Sequence, residues 1–294
     1  MSELFDAPET SRREHRRRRR DDRRRSGWVL VLVVLAVAVL AAGLVVGLAA
    51  ANRWWNTAVP APSLPPPLLP GAPTPTPQPT AAALRISGQG YDISYPQCGD
   101  PLPGGGAFGI VGVNGGAPLT SNKCLAEQDG WAQTTKARAL YINTANAGTD
   151  DPVAYGRRLV DDAVKRKNAA GVPKTAVWWL DVETTNAWRG TTQENATVLS
   201  SMAARLQELG VRVGIYSTPQ QFAEIAGTWE PGLPVWNATG PGTAEAALRA
   251  CSESFAGSST AMVQWIDIEN GRELDHNLIC PAWRDRAGEL LDPN

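Results

Sequence analysis

The pattern of hydrophobic and polar positions divides the chain into three parts. Trp28 to Ala51 is a run of 24 residues without a charge or a proline, and ten of the twenty residues from Pro60 to Pro79 are proline. At 1.5 Å per residue, a helix over the first run is about 36 Å long, which is enough to cross a bilayer. The proline-rich stretch cannot pack a core and tends to extended polyproline II. From residue 84 onward, short apolar segments alternate with amphipathic ones, which indicates a folded domain.

These parts predict four regions. They are an arginine-rich cytoplasmic tail over 1–27, a transmembrane helix over 28–51, a proline-rich extracellular linker over 52–83 and a folded domain over 84–294. The ten arginines before the apolar run place the N-terminus inside and the domain outside a single-pass cell membrane protein. A cleaved signal peptide is the alternative, because Ala49 to Ala51 are small. We favour the uncleaved anchor, since a signal peptide's apolar region is normally only about 7–15 residues long.

The last region reads as an α/β domain. Its strand candidates are Gly90–Ser94, Phe108–Val113, Ala139–Asn143, Ala176–Glu183, Val211–Tyr216, Leu233–Asn237, Ala261–Trp265 and Leu274–Ile279. Asp151-Pro152 marks the start of a helix that ends before Gly171. Thr191 and Glu194 have the spacing of a capping box, which marks the start of a second helix. Strand followed by helix, repeated about eight times over roughly 200 residues, predicts a closed (β/α) barrel of the TIM type. A doubly wound open sheet is the alternative, but no G-x-G-x-x-G follows a strand, so a dinucleotide site has little support.

Polar residues recur where these strands end, most clearly in Trp179-Leu180-Asp181-Val182-Glu183. If this segment is a strand, both acids point to the same side, and carboxylates at the end of an apolar run need partners or a chemical role. The candidate catalytic residues are Asp92, Asp181, Glu183 and Asp275. The candidate substrate-binding residues are Tyr91, Ser94, Gln97, Tyr216, Trp236, Asn237, Gln264, Trp265 and Asn277. In a barrel the strand ends meet on one face, where carboxyl groups can protonate a glycosidic oxygen and aromatic faces can stack on sugars.

Charge and cysteine content narrow the class of function. The domain carries 17 basic and 23 acidic residues, and this mildly acidic balance argues against a nucleic-acid partner. All four cysteines lie in this part, and an even number outside the membrane favours two disulfides. Of the three possible pairings we favour the sequence-local one, Cys98–Cys124 with Cys251–Cys280. No C-x-x-C is present and the domain has one histidine, His276, so we expect no metal site and no cofactor.

The order of these motifs resembles the family 25 glycoside hydrolases, which are lysozyme-type muramidases, and more closely the related actinobacterial glycoside-hydrolase-like domain of unknown function. The resemblance covers about residues 88–280. Its matching pieces are Gly90-Tyr91-Asp92-Ile93-Ser94 with Gln97, Trp179-Leu180-Asp181-Val182-Glu183, Gly214-Ile215-Tyr216-Ser217, Pro234-Val235-Trp236-Asn237, Val263-Gln264-Trp265 and Asp275-His276-Asn277. It implies Glu183 as the general acid and Asp181 as the residue that orients an acetamido group. Asp92 and Asp275 would complete an acidic floor.

One segment departs from the family pattern. The second strand of the family usually carries a Lys and a Glu, whereas residues 108–116 here contain neither. Two hypotheses therefore follow. The first is a membrane-anchored enzyme that acts on peptidoglycan or a related N-acetylated glycan, and the intact pair of Asp181 and Glu183 favours it. The alternative is a non-catalytic module that binds or scaffolds cell-wall glycan, and the second strand favours that reading.

Overall fold

A computed structural model describes residues 69, 71–74, 77–269 and 271–294. The predicted cytoplasmic tail, the predicted transmembrane helix and most of the predicted linker lie outside these residues. Among the helices that the structure describes, none is long and apolar enough to cross a bilayer. The membrane anchor and the region boundaries therefore stay predictions.

Eight strands close into a barrel whose order around the ring is β1-β2-β3-β4-β5-β6-β8-β9. The strands of the described chain are β1 Gly90–Ile93, β2 Phe108–Gly112, β3 Ala137–Asn143, β4 Val177–Asp181, β5 Arg212–Ser217, β6 Val235–Pro241, β7 Ser254–Phe255, β8 Ser258–Glu269, β9 Arg272–Ile279 and β10 Asp292–Pro293. Pairing of β3 with β4 closes the ring, while β7 and β10 pair outside it. The prediction of a closed α/β barrel is thus confirmed.

The last part of the barrel departs from the predicted alternation of strand and helix. Strands β1 to β6 and β8 run parallel, but β8 turns directly into β9, which runs antiparallel to both β8 and β1. The prediction that a helix follows each of about eight strands was therefore wrong. The turn sequence Asn270-Gly271 carries the signal for this hairpin, because Asn-Gly between alternating strands is typical of a tight antiparallel turn.

Five α-helices connect and cover the parallel strands. They are α1 Leu125–Ala132, α2 Pro152–Ala169, α3 Thr192–Glu208, α4 Pro219–Ala226 and α5 Ala244–Arg249. Both predicted helix starts are confirmed: Asp151 accepts the amide of Ala154 at 2.9 Å, and the Thr191–Glu194 capping box is formed. The outer faces of the strands and the helices bury one apolar layer, to which Trp178 belongs.

The last residues before the domain contact the end of the barrel where the parallel strands begin. The Gln78 side-chain amide donates to the Val213 carbonyl at 2.7 Å and accepts a hydrogen bond from the Val213 amide. Val213 lies near the start of β5, before the β5–β6 pairing begins at Ile215 and Val235. The Gln78 amide thus occupies the position that a neighbouring strand would take.

Two disulfides fix segments outside the barrel strands. Cys98 pairs with Cys124 and Cys251 with Cys280, each with a Cα–Cα distance of 5.6 Å. The first ties the segment after β1 to the start of α1, and the second ties α5's end to the end of β9. The sequence-local pairing is confirmed.

Candidate active site

Four carboxyl groups meet at the end of the barrel where the parallel strands finish. Asp92 lies on β1 and Asp181 is the last residue of β4, whereas Glu183 lies two residues beyond that strand. The expectation that strand β4 extends through Glu183 was wrong. Asp275 pairs directly with Asp92, although it lies in the first half of β9 rather than at a strand end. The antiparallel direction of β9 brings its first half to the face where the parallel strands end.

These four acids line one small cavity of about 170 Å³. The residues that line it are Asp92, Tyr141, Asp181, Glu183, Tyr216, Trp236, Gln264, Ile266 and Asp275. None of these described lining residues is basic, so no cation in the lining offsets the carboxylate charges. A cluster of this kind can keep a proton at neutral pH.

Burial dominates the electrostatics of the cluster. Desolvation, followed by the charge of Asp275, raises the pKa of Asp92 well above its usual range. Desolvation and the charge of Glu183 likewise raise the pKa of Asp181 well above the usual value, and they raise the pKa of Asp275 to about 6. Burial also raises the pKa of Glu183. The four groups therefore hold protons at a higher pH than isolated carboxyls do.

A chain of hydrogen bonds fixes Asp92. Gln264 donates to both of its carboxyl oxygens at 3.0 and 3.2 Å, and Asn277 donates to Oδ1 at 2.7 Å. Tyr216 in turn donates to the Gln264 oxygen at 2.9 Å, and Trp236 donates to the Asn277 oxygen at 2.8 Å. Each amide is thus oriented, because its oxygen is occupied by a donor and its nitrogen faces Asp92.

Asp181 is held by the neighbouring strand. The Asn143 side chain at the end of β3 donates to Oδ2 of Asp181, and the two residues are paired in register. The carboxyl also faces Glu183, and a hydrogen bond between the two acids raises the pKa of Asp181 further and opposes the rise at Glu183. One oxygen of Asp181 is therefore oriented by Asn143, and the carboxyl lies within hydrogen-bonding reach of Glu183.

Aromatic side chains fill the barrel below the acids. Trp179 and Trp236 are fully buried and meet edge to face with centroids 5.6 Å apart, and Tyr216 lies 4.5 Å from Trp236. Gly214 makes room for this packing, since a methyl group on it would lie 2.3 Å from the Trp179 ring. The floor is thus rigid, which holds the carboxyl groups above it in place.

A larger groove of about 640 Å³ adjoins the acid cavity. Glu183, Tyr216, Gln264 and Ile266 line both spaces, so the two are continuous. The groove extends over the ends of β5 and β6, where Asn237 donates to the Glu253 carboxylate at 3.0 Å. The site therefore combines a polar groove with an acidic pit at one end, and Glu183 lies where they join.

Five of the predicted substrate-binding residues do not line either cavity. One of them, Asn277, still belongs to the site through its hydrogen bond to Asp92. Tyr91 and Trp265 each lie next in sequence to a residue of the cluster, so their side chains point to the opposite face of the strand, where both stack against His276. Ser94 and Gln97 form a turn after β1 in which the Gln97 oxygen accepts the Ser94 amide at 2.9 Å. The remaining candidates come together as predicted, and their roles stay predictions.

Two residues of the site escaped the sequence reasoning. Tyr141 lines the acid cavity, and Asn143 orients Asp181. Both lie at the end of β3, whose sequence contains none of the motifs that pointed to the site. They are nevertheless polar residues at positions i and i+2 of a strand end, which is the same signal that identified Asp181 and Glu183.

Metal coordination finds no support in the described part of the chain. No group of three or more His, Cys, Asp or Glu side chains there has an arrangement that could hold a metal ion.

A family model matches the middle of the chain, and several solved structures resemble its fold. Residues 130–263 match the family described as Lysozyme-like protein 1. No curated protein matches the sequence. A family 25 glycosyl hydrolase from Bacillus anthracis is 15% identical, with a TM-score of 0.49 over 68% of this chain and 93% of that chain. A glycosyl hydrolase 25 of Streptococcus pneumoniae is 17% identical, with a TM-score of 0.47 over 69% and 92%.

The matched residues contain the segment that carries Asp181 and Glu183, and they end one residue before Gln264. The family match thus covers the central part of the resemblance, while the closed barrel supplies the expected frame. Residues 130–263 of this chain are thus similar to a lysozyme-like family.

Proposed function

We propose that this protein is a glycoside hydrolase that cleaves peptidoglycan or a related N-acetylated cell-wall glycan. The observation that carries the proposal is the 170 Å³ cavity with four carboxyl groups beside a groove of about 640 Å³. A groove of this volume can hold part of a glycan chain, and the acidic pit can act on one of its bonds. The lysozyme-like match over residues 130–263 supports the same substrate class.

Glu183 is the proposed general acid. It lies at the junction of the groove and the pit, where a glycan in the groove would present a glycosidic oxygen. Burial raises its pKa against the opposing hydrogen bond to Asp181, so the carboxyl holds a transferable proton to a higher pH than an exposed glutamic acid does. General acids of this type contribute about 10²–10⁴-fold to a rate.

The other acids serve the sugar ring that is left behind. Bond cleavage produces positive charge on that ring, and the nearby carboxylate of Asp275, which a pKa of about 6 leaves ionised at pH 7, stabilises it with Asp92 beside it in the pit. Asp181 has one oxygen held by Asn143 and lies beside Glu183 in the cavity wall, a position that suits a contact to the N–H of an acetamido group. An acetamido oxygen held in this way can itself attack the ring carbon, as in substrate-assisted glycosidases.

We also propose that the domain works outside the cell, tethered to the membrane by residues 28–51. The uncharged run of 24 residues and the ten preceding arginines support this location. A tethered hydrolase would meet its substrate in the wall layer above the membrane.

The test compares the full chain, kept in a mild detergent, with Glu183→Gln. Released reducing ends from purified peptidoglycan measure turnover, and co-sedimentation with the same insoluble material measures binding. We expect turnover to fall by about 10²–10⁴-fold while binding is kept. Glu253→Gln is the matched control, because Glu253 lines the same groove away from the pit and an amide oxygen can still accept from Asn237. Equal turnover of the Glu183→Gln and Glu253→Gln variants would show that Glu183 is not the acid.

A second function is a non-catalytic module that binds cell-wall glycan. The absence of Lys and Glu from residues 108–116 favours it, because there the chain has Asn114 followed by two glycines. Asn114 is buried, and its side-chain oxygen accepts the Asn143 amide at 3.1 Å, so it braces the backbone of the residue that orients Asp181. Binding without turnover by the unsubstituted protein would establish this second function.

A further inference from the structure

The hairpin of β8 and β9 extends past the other strands on the side of the acid cavity. Its pairing is regular from Met262 opposite Ile279 to Glu269 opposite Arg272, without a bulge. Strand β8 has 12 residues, whereas β1 to β6 have between 4 and 7. Its last residues therefore stand above the rim of the barrel, beside the mouth of the pit.

The outer face of this hairpin is fixed by contacts. Glu269 accepts a hydrogen bond from the Tyr91 hydroxyl at 3.3 Å, and Arg272 donates to the Pro101 carbonyl at 2.7 Å. Below them the Trp265 and His276 rings stack with centroids 5.1 Å apart. Glu269 and Arg272 are thus held from the outer side, which makes the described end of the hairpin a preformed wall.

The inner face of the hairpin borders the acid cavity and carries apolar side chains. Because side chains alternate along a regular strand, Gln264, Ile266 and Ile268 share the face that carries the site. Ile266 lines both cavities, and Ile268 is 66% exposed, more than any other large hydrophobic residue that the structure describes as exposed. Opposite Ile268 lies Glu273, whose charge raises the pKa of Asp275. The inner face of the tip is therefore continuous with the acid cluster.

We propose that this inner face is a glycan subsite in which Ile268 packs against the apolar face of a sugar or its acetamido methyl group. The inference rests on the proposed function and adds to it a requirement for a polymer. Ile266 is paired with Asp275, and Ile268 lies two residues farther along the strand, or about 7 Å, so it faces the sugar next to the one at the acids. The protein then selects long chains over short ones through a residue that takes no part in the chemistry.

The physical basis is the removal of apolar surface from water. Each Å² of apolar surface that a bound sugar covers stabilises the complex by about 25 cal/mol. The side chain of Ile268 already projects into solvent on a rigid support, so little ordering opposes the contact. We expect loss of this contact to weaken the binding of long chains by about tenfold.

The experiment uses the full chain with Ile268→Thr, which keeps a β-branched residue in the strand but removes the apolar surface. Asp267→Asn is the matched control, because it alters the outer face of the same strand and keeps an oxygen for the Ile268 amide, which the Asp267 side chain accepts at 2.7 Å. Ile268→Val is the conservative variant. The substrates are soluble glycan strands from peptidoglycan and a two-sugar aryl glycoside of the same sugars.

For Ile268→Thr we expect KM for the long strands to rise about tenfold with kcat unchanged, and both constants for the two-sugar substrate to stay the same. Ile268→Val and Asp267→Asn should behave like the unsubstituted protein. Equal KM values for long strands in all four proteins would overturn the subsite while leaving the hydrolase intact. If the unsubstituted protein has no turnover, co-sedimentation with peptidoglycan decides: weaker binding of Ile268→Thr alone supports the subsite on a binding module, and equal or absent binding overturns it.

Discussion

Gln78 offers a sharp test of how far the folded unit extends into the proline-rich stretch. Its side-chain amide makes two hydrogen bonds to the backbone of Val213, one as donor at 2.7 Å and one as acceptor. Gln78→Ala leaves the backbone amide and carbonyl of Val213 without these hydrogen bonds, and Val213 is only 1% exposed. Gln78→Glu keeps the size and the acceptor but places an oxygen against the Val213 carbonyl.

The size of the effect follows from these contacts. A typical hydrogen bond contributes about 0.5–1.5 kcal/mol net, and a buried group left without a partner costs about 1–3 kcal/mol. With water able to reach the site in part, we expect Gln78→Ala to lower the free energy of unfolding by about 2–3 kcal/mol. Gln78→Glu should cost at least as much at pH 7, because the carboxylate and the carbonyl repel each other.

The glutamate variant also predicts a pH dependence. Its carboxyl would have a raised pKa in the folded state, because only the protonated form can donate to the Val213 carbonyl. A group of this kind binds more protons when folded, so the stability of this variant should rise as the pH falls from 7 toward 4 relative to that of the alanine variant.

Urea unfolding of the full chain, followed by tryptophan fluorescence, measures these changes. Gln220→Ala is the control, since Gln220 is an exposed glutamine on α4, and its effect should stay within about 0.5 kcal/mol. If Gln78→Ala is as stable as the control and Gln78→Glu shows no pH dependence of its own, then the contact seen at Val213 does not hold the segment, and the reasoning is refuted.

Three further predictions concern the acids, their support and the crosslinks. Asp275 has a pKa of about 6 in the folded state, so it contributes stability at low pH that is lost as the pH rises from about 4 to 6. Urea unfolding at pH 4 and at pH 7 should show this loss as a fall of about 2–3 kcal/mol in the free energy of unfolding, and Asp275→Asn should abolish it. Asn143→Asp would add a carboxyl beside Asp181, and we expect the alkaline limb of the pH–rate profile to move up by roughly one pH unit; an unchanged profile would contradict the coupling. Replacing Cys251 and Cys280 with serine opens a loop of sequence separation 29 and should cost about 3 kcal/mol of unfolding free energy, whereas an unaltered urea midpoint would contradict this.

Local features were readable from the sequence because they depend on neighbours along the chain. The cap at Asp151, the capping box at Thr191 and the sequence-local disulfides all follow from short spacings. The acid cluster was also predictable, because parallel strands place their final residues on one face. The opposite orientation of Tyr91 and Asp92 was available too, since adjacent strand residues point to opposite sides.

Tertiary structure alone decided how the barrel closes and what completes it. The direction of β9 depends on pairing with both β8 and β1, and β1 is far away in sequence, so periodicity could not place Asp275 in the first half of its strand. In the same way, nothing near Gln78 indicates that its side chain pairs with Val213, 135 residues away. The sequence by itself determined which strand ends carry carboxyl and amide groups, whereas long-range pairing determined which of them face one another, because hydrogen bonds between distant segments leave no local pattern.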